Sequence, residues 1–263
     1  MSDDTPTGLT IATADGVQTL RLTRASKKNA LTSVMYAGLR EALIDGDSRG
    51  DVAVHVLIGS GGSFSAGSDV AEFAERAKGR ADLSGPILEF IRQLPKVEKP
   101  LIAAVDGLAV GVGVTLLLHC DLVYATPAST FRTPFLDLGL VPEAGSSLLA
   151  PHRMGYARAF ELLALGETFS AERAVAAGLV NAVVLAAELE ATARNSALRL
   201  ARKPPEALAL CRRLMRGEAA AASRQIEEEA RVFAERLSSP EAREAFAAFL
   251  EKRAPDFARL RKA

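Results

Sequence analysis

An α/β fold, in which helices cover a sheet and a purely helical tail follows, is predicted by three features of the sequence. Short β-branched apolar runs alternate with segments of helical spacing as far as about residue 185. Two of those runs lead directly into glycine-rich turns. After about residue 186 the strand signals stop, and Ala, Glu, Leu and Arg recur at helical periodicity.

Taken in order, Leu9–Thr13 and Val17–Leu22 alternate apolar and polar residues around Ala14-Asp15-Gly16, which predicts a β-hairpin. Thr32 is placed to cap a helix whose apolar positions are Val34, Met35, Leu39, Leu43 and Ile44. Val52–Ile58 is apolar on both faces and reads as a buried strand. Leu101–Val105, Leu122–Ala125 and Leu179–Val184 repeat that signal, and an apolar helix is expected over Thr115–Leu118. In the tail, Lys203-Pro204-Pro205 and Ser238-Ser239-Pro240 separate helices. Ile226, Ala230, Phe233 and Leu237 form one apolar stripe, and Glu227, Glu228, Glu229 and Arg231 are assigned to a solvated or intersubunit face. The organisation predicted is a core over residues 1–200 and a helical oligomerisation region over 201–263.

Composition narrows the function. The 263 residues carry 32 Lys and Arg against 32 Asp and Glu, so the basic excess that a nucleic-acid or membrane-surface binder uses against phosphate is missing. The longest charge-free apolar stretch, Gly107–Cys120, is 14 residues and contains Gly111 and Gly113, whereas a membrane span needs about 20 apolar residues. Cys120 and Cys211 stand far apart without a CxxC pair, which fits a reducing compartment. Met1-Ser2-Asp3-Asp4 lacks a signal-peptide pattern and Arg261-Lys262-Ala263 is not a peroxisomal address, so the cytoplasm is expected. His55, His119 and His152 are isolated from carboxylates in sequence, and no metal site is expected. His119 and Cys120 are neighbours but point about 100° apart on a helix, so they read as core and not as a dyad.

Three segments carry candidate chemistry. Gly59-Ser60-Gly61-Gly62-Ser63-Phe64-Ser65-Ala66-Gly67-Ser68-Asp69 follows a buried strand and precedes an expected helix near Val70. Small residues there let a ligand approach backbone N–H groups, although a surface turn has the same composition. Val105-Asp106-Gly107 through Gly113 repeats the arrangement, where Gly111 and Gly113 serve either peptide donors or close helix packing. The first segment matches neither the P-loop nor the dinucleotide-binding fingerprint. The third is Thr130–Ser147, containing Pro134-Phe135, Asp137 and Pro142-Glu143-Ala144-Gly145-Ser146-Ser147.

Lys28-Asn29-Ala30-Leu31, Phe64-Ser65-Ala66-Gly67-Ser68-Asp69, Asp106–Gly113, Cys120-Asp121, Gly139-Leu140-Val141-Pro142, Ser170-Ala171-Glu172-Arg173-Ala174 with Gly178-Leu179-Val180, and Lys203-Pro204-Pro205 together resemble the crotonase, or enoyl-CoA hydratase/isomerase, superfamily. The match is co-linear over roughly residues 15–250. It implies a crotonase-like fold of repeated ββα units with C-terminal trimerisation helices, a homotrimer or a hexamer of paired trimers, and an acyl-CoA thioester as substrate. Coenzyme A is then part of the substrate and no separate cofactor is implied. By motif position the backbone N–H groups of Ser68 and Val112 polarise the thioester carbonyl. Lys28, Ala30, Ala66, Gly67, Asp69, Val70 and Gly111 lie along the CoA and acyl path. Lys27, Lys28 or Arg24 is expected at the phosphates or, equally, as ordinary surface charge.

The reaction type turns on carboxylates. The two glutamates of the superfamily's hydratases fall at Thr115 and Phe135, neither of which is an acid or base, and this counts against classical hydration. Pro142-Glu143-x-x-Ser146-Ser147 instead resembles the peroxisomal-type Δ3,Δ2-enoyl-CoA isomerases, where this glutamate is the acid/base. Read without the resemblance, Glu143 after Pro142 is also a stabilising first-turn residue of a helix. Asp137 is its nearest competitor with its direction undecided, and Asp69 and Asp121 read as loop braces. Phe73, Leu83, Ile87 and Phe90 suggest an apolar pocket wall or simple core. The resemblance thus implies a 3-enoyl-CoA to trans-2-enoyl-CoA isomerase of fatty-acid β-oxidation or related acyl-CoA metabolism, with Glu143 as proton shuttle. The alternatives are a hydratase with a rearranged site, a ring acyl-CoA isomerase, a thioester hydrolase, or a non-catalytic CoA-binding scaffold.

Overall fold

The computed structural model of the chain describes residues 4–69, 85–217, 219–251 and 253–260. Val70, Phe73 and Leu83, and the helix expected from about Val70, lie outside the described residues. Two sheets organise the chain. The larger comprises β1 (Leu9–Ala14), β2 (Val17–Leu22), β3 (Val54–Gly59), β5 (Leu101–Val105), β7 (Leu122–Ala125) and β10 (Ala182–Val183), side by side in that order. The β1–β2 hairpin is antiparallel and every later pairing in this sheet is parallel. The smaller sheet holds β4 (Ser63–Ser65), β6 (Leu108–Val110), β8 (Thr130–Arg132) and the antiparallel β9 (Phe169–Ser170). Each of β3, β5 and β7 is followed within a few residues by a strand of the smaller sheet, so the chain turns the same corner three times.

Period-two alternation explains why these strands read as apolar on both faces. Val54, Val56 and Ile58 of β3, with Ile102 and Ala104 of β5, pack under Leu189, Ala193 and Ala197 of helix Ala186–Ala201. Leu57, Ala103 and Val105 face the main core on the other side. That core is closed by α1 (Ser33–Ser48) and α2 (Pro86–Gln93). The Met35 N–H donates to the Thr32 side chain at 3.3 Å, the expected N-cap. The stripe of α1 runs through Met35, Tyr36, Leu39, Ala42 and Leu43, whereas Val34 and Ile44 are exposed. Each is one residue, about 100°, off the buried row.

Other expectations shift in detail. The expected strand over Leu179–Val184 contracts to Ala182–Val183, because the Asn181 side chain accepts from the Val123 N–H at 2.7 Å where a ladder carbonyl would sit. The helix expected at Thr115 starts earlier, as α3 (Val112–Thr115), and tightens into a 3₁₀ turn over Leu116–His119. Asp121 does brace the core: it receives the Leu101 N–H at 2.8 Å and pairs with buried Arg212 at 2.8 Å.

Downstream come α4 (Ser146–Met154), α5 (Tyr156–Leu163), α6 (Ala171–Ala176), α7 (Ala186–Ala201), α8 (Pro205–Arg216), α9 (Ala219–Leu237) and α10 (Pro240–Leu250). Ile226, Phe233 and Leu237 of α9 and Ala242 of α10 belong to the main apolar cluster. Glu229 departs from the expected solvated face, being only 5% exposed. Among the described residues no helix is long and apolar enough to cross a membrane.

Candidate active site

Two backbone turns meet at the end of the smaller sheet. After β4, Leu31 donates to the Gly67 carbonyl at 2.7 Å and accepts from the Asp69 N–H at 2.9 Å, a parallel bridge centred on Ser68. In such a bridge the central residue's own N–H and C=O face away from the partner, so the Ser68 N–H is turned from Leu31 toward the β6 side. After β6, Gly111 (φ 55°, ψ −120°) caps α3, and Val112, as its first residue, has an N–H without an intrahelical acceptor. The turns are in contact: a Cβ on Gly67 (φ 86°) would stand 2.8 Å from the Val110 carbonyl oxygen. The Ser68 side chain is fixed by a 2.7 Å hydrogen bond with Tyr36.

Glu143 lines the same cavity. Helix α4 begins only at Ser146, with Gly145 as its N-cap, so Glu143 precedes the helix and is not the first-turn residue that Pro142 suggests. Ala144 (φ 59°) and Gly145 (φ 71°) form a left-handed pair that turns the chain sharply behind the glutamate. The Thr115 hydroxyl donates to Oε1 of Glu143, while Oε2 is buried without a hydrogen-bond partner. Burial pushes the Glu143 carboxyl up to about 8, the Thr115 hydrogen bond pulls it back, and the negative charge of Glu229 adds to the rise.

Behind the turn, the His119 ring shares a 2.7 Å hydrogen bond between Nε2 and the Ala144 carbonyl, so Nε2 carries the proton. Burial holds this imidazole down to about 4, hence neutral. Burial also pushes the Cys120 thiol up to about 12, so these neighbours are two uncharged packed groups, not a nucleophile and base.

The cavity has a volume of about 500 Å³ and is walled mainly by apolar side chains, among them Ile87, Phe135, Leu140, Phe233 and Phe246. Of the two readings open for Phe90, wall or core, the structure shows core, 1% exposed and stacked at a tilt against Tyr36. Asp137 reaches the cavity but pairs with Arg132 at 2.9 Å and is half-exposed, which leaves Glu143 as the desolvated carboxylate. Beside the Ala66 loop, whose Ala66 N–H donates to the Lys28 carbonyl at 2.9 Å, Lys27 and Lys28 are exposed while Arg24 is committed to Asp69 (2.7 Å) and the Ala30 carbonyl (3.0 Å), and neither Lys28 nor Ala30 lines the cavity. Asp69 is thus a brace, and the two lysines are the free basic groups of this turn. Ala66, Gly67, Ser68, Gly111, Val112 and Glu143 come together at the cavity.

Four contributors were not apparent beforehand. Buried Asn29 (φ 53°) donates to the Ser60 and Ser63 carbonyls at 2.9 and 2.7 Å and locks the lysine turn onto the Ser65–Ser68 loop. Tyr36 is not among the apolar positions that the spacing marks on its helix, and Thr115 reads only as a missing carboxylate. Glu229 carries a signal in hindsight: it stands three residues after Ile226 and four before Phe233, on the apolar stripe.

The comparisons with known proteins follow this geometry. Residues 12–260 match the family model described as enoyl-CoA hydratase/isomerase. Rattus norvegicus enoyl-CoA delta isomerase 2 is 36% identical over 213 residues, 80% of this chain and 54% of that protein. The 1,2-epoxyphenylacetyl-CoA isomerase of Escherichia coli K12 is 36% identical over 250 residues, 92% of this chain and 95% of that one. A crystal structure of an enoyl-CoA hydratase/isomerase from Pseudoalteromonas atlantica T6c superposes with a TM-score of 0.89 at 37% identity, covering 95% of this chain and 99% of that chain. The chain spans about half the length of the rat and human delta isomerases that it matches.

Proposed function

The chain belongs to the enoyl-CoA hydratase/isomerase, or crotonase, superfamily and has its fold, and we propose that within it the protein isomerises 3-enoyl-CoA to trans-2-enoyl-CoA. One observation carries the reading: a single desolvated carboxylate, Glu143, with Oε2 buried and free of hydrogen bonds, lines a cavity together with Ser68 and Val112, while Thr115 and Phe135 stand where the resemblance puts a hydratase's two glutamates.

Oε2 takes a proton from the carbon α to the thioester, and the electron pair spreads through the adjacent double bond onto the thioester oxygen. The Ser68 and Val112 N–H groups receive that charge, a kind of contribution worth about 3–4 kcal/mol per donor. The same carboxyl, now protonated, returns the proton at the γ carbon, and the double bond ends conjugated with the carbonyl. A carboxyl near 8 suits a shuttle that both takes and gives a proton close to neutrality. No second carboxylate is needed, whereas adding water calls for a paired acid and base.

Ring acyl-CoA isomerisation is the second reading, favoured by the near-complete coverage of the E. coli 1,2-epoxyphenylacetyl-CoA isomerase. Both readings place the protein in fatty-acid β-oxidation or related acyl-CoA metabolism. Leu214 and Met215 on α8, with Tyr156 and Phe160 on α5, are exposed apolar side chains suited to self-association as a trimer or hexamer. The test is incubation with trans-3-enoyl-CoA, trans-2-enoyl-CoA and a ring epoxy-acyl-CoA, following conjugation by ultraviolet absorbance and water addition by mass. Conjugation that collapses in Glu143→Gln supports the isomerase, and hydration that survives that substitution overturns it.

A further inference from the structure

The turn that carries Glu143 is held from behind by a residue of the C-terminal helices. Glu229, on α9, accepts the Gly145 N–H at 2.6 Å through Oε2 and the Ser147 N–H at 2.9 Å through Oε1, and the Ser147 hydroxyl donates to the same Oε1. Gln225, one helical turn earlier, donates to the Ser147 hydroxyl oxygen at 2.9 Å. The segment so clamped contains Ala144, a buried non-glycine residue at φ 59°, a conformation that persists only where its surroundings impose it. His119 fixes the Ala144 carbonyl, Glu229 fixes the Gly145 and Ser147 N–H groups, and the Ser146 N–H between them donates to the Glu143 carbonyl at 3.1 Å.

We propose that Glu229 is a positioning residue for Glu143, holding its turn in a strained geometry and keeping a fixed negative charge behind it. This rests on Glu143 being the proton shuttle. Glu229 is 5% exposed and, among the described residues, forms no ion pair, so its charge is not neutralised locally. The other titratable or charged groups sharing the cavity or the turn with Glu143 are neutral His119, Tyr36, the Arg132–Asp137 pair, and Arg253, which is paired with Glu244. Burial raises the Glu229 carboxyl and its three donors pull it back, and its charge lifts that of Glu143.

The experiment compares wild type, Glu229→Gln and Glu229→Asp in the full chain, recording kcat, KM and the pH at which activity rises. In parallel, infrared titration follows the protonated carboxyl band assigned by its loss in Glu143→Gln. Gln removes the charge and sets an amide N–H₂ against a backbone donor. Its expected effects are a midpoint displaced to about tenfold higher proton concentration and kcat at alkaline pH down about tenfold, with KM within about threefold. Asp keeps the charge but retracts it by one methylene, and is expected to displace the midpoint by about threefold, less than Gln. A folded Gln variant with an unmoved midpoint overturns the proposal, whatever its kcat. If Gln fails to fold, Asp decides: retraction by one methylene is expected to displace the midpoint by about threefold, and an unmoved midpoint overturns the proposal. The infrared arm needs no turnover, so a displaced band in a protein inactive on enoyl-CoA upholds Glu229 while removing the isomerase reading.

Discussion

The Thr115 hydroxyl donates to Oε1 of Glu143, from the position to which the resemblance assigns a hydratase glutamate. One side chain therefore leaves that position without a carboxylate and orients Glu143. Oε1 is occupied, so Oε2 is the carboxylate oxygen left without a hydrogen-bond partner.

Thr115→Val removes the donor at nearly constant volume. A hydrogen bond to a charged group contributes about 1.5–3 kcal/mol, so kcat/KM at pH 7 is expected to fall about 10–100-fold. Because the Thr115 bond lowers the Glu143 carboxyl, its loss also moves the rise in activity to higher pH. An unchanged profile would detach Thr115 from the base.

Activity should climb with pH. The base works as the carboxylate, and a carboxyl near 8 leaves only about a tenth ionised at pH 7, so kcat/KM is expected to rise about tenfold from pH 7 to a plateau above 9. Steady-state kinetics on trans-3-enoyl-CoA from pH 6 to pH 10 measures it. A profile flat above pH 6 would mean that Glu143 is not the group titrating.

Much of this site was legible because its parts lie in short segments. Composition marks the two glycine-rich turns only as turns, and it is the resemblance that assigns them peptide donors and Pro142-Glu143 its match to one branch of a superfamily. What escaped depends on contacts distant in sequence: Glu229 meets Ser147 across 82 positions and Asn29 meets Ser63 across 34. Val34 and Ile44 mislead for a different reason, since composition marks them apolar and only the rotation of α1 shows which row is buried. Leu179 and Val180 are buried as expected but in a loop, because Asn181 supplies with its side chain what a strand supplies with its backbone.

Gly67→Ala tests the two-turn hole. The added methyl group meets the Val110 carbonyl at 2.8 Å at φ 86°, so one turn must withdraw from the other. Losing a single oxyanion donor costs about 100–1,000-fold in kcat, and a loss in that range is expected with the cooperative unfolding transition retained. Activity within about fivefold of wild type would place the hole elsewhere.

Glu143→Gln should stabilise the protein, and only above a definite pH. An unfolded glutamate titrates near 4.5 and the folded one near 8, so between these values the folded chain holds a proton that the unfolded chain has released. Stability contributed by the protonated carboxyl is therefore complete below about pH 4.5 and is lost as pH rises through 8. The span corresponds to about 3–5 kcal/mol as an upper range for a fully buried group. The amide of Gln keeps the shape without the titration, so Tm of Glu143→Gln should match wild type near pH 5 and exceed it by several degrees near pH 9. A Tm difference independent of pH would show that the carboxyl is not held protonated by burial. The gain would come at the expense of the proposed proton shuttle, because the desolvation that strains the folded state at alkaline pH is also what raises the basicity of the Glu143 carboxylate.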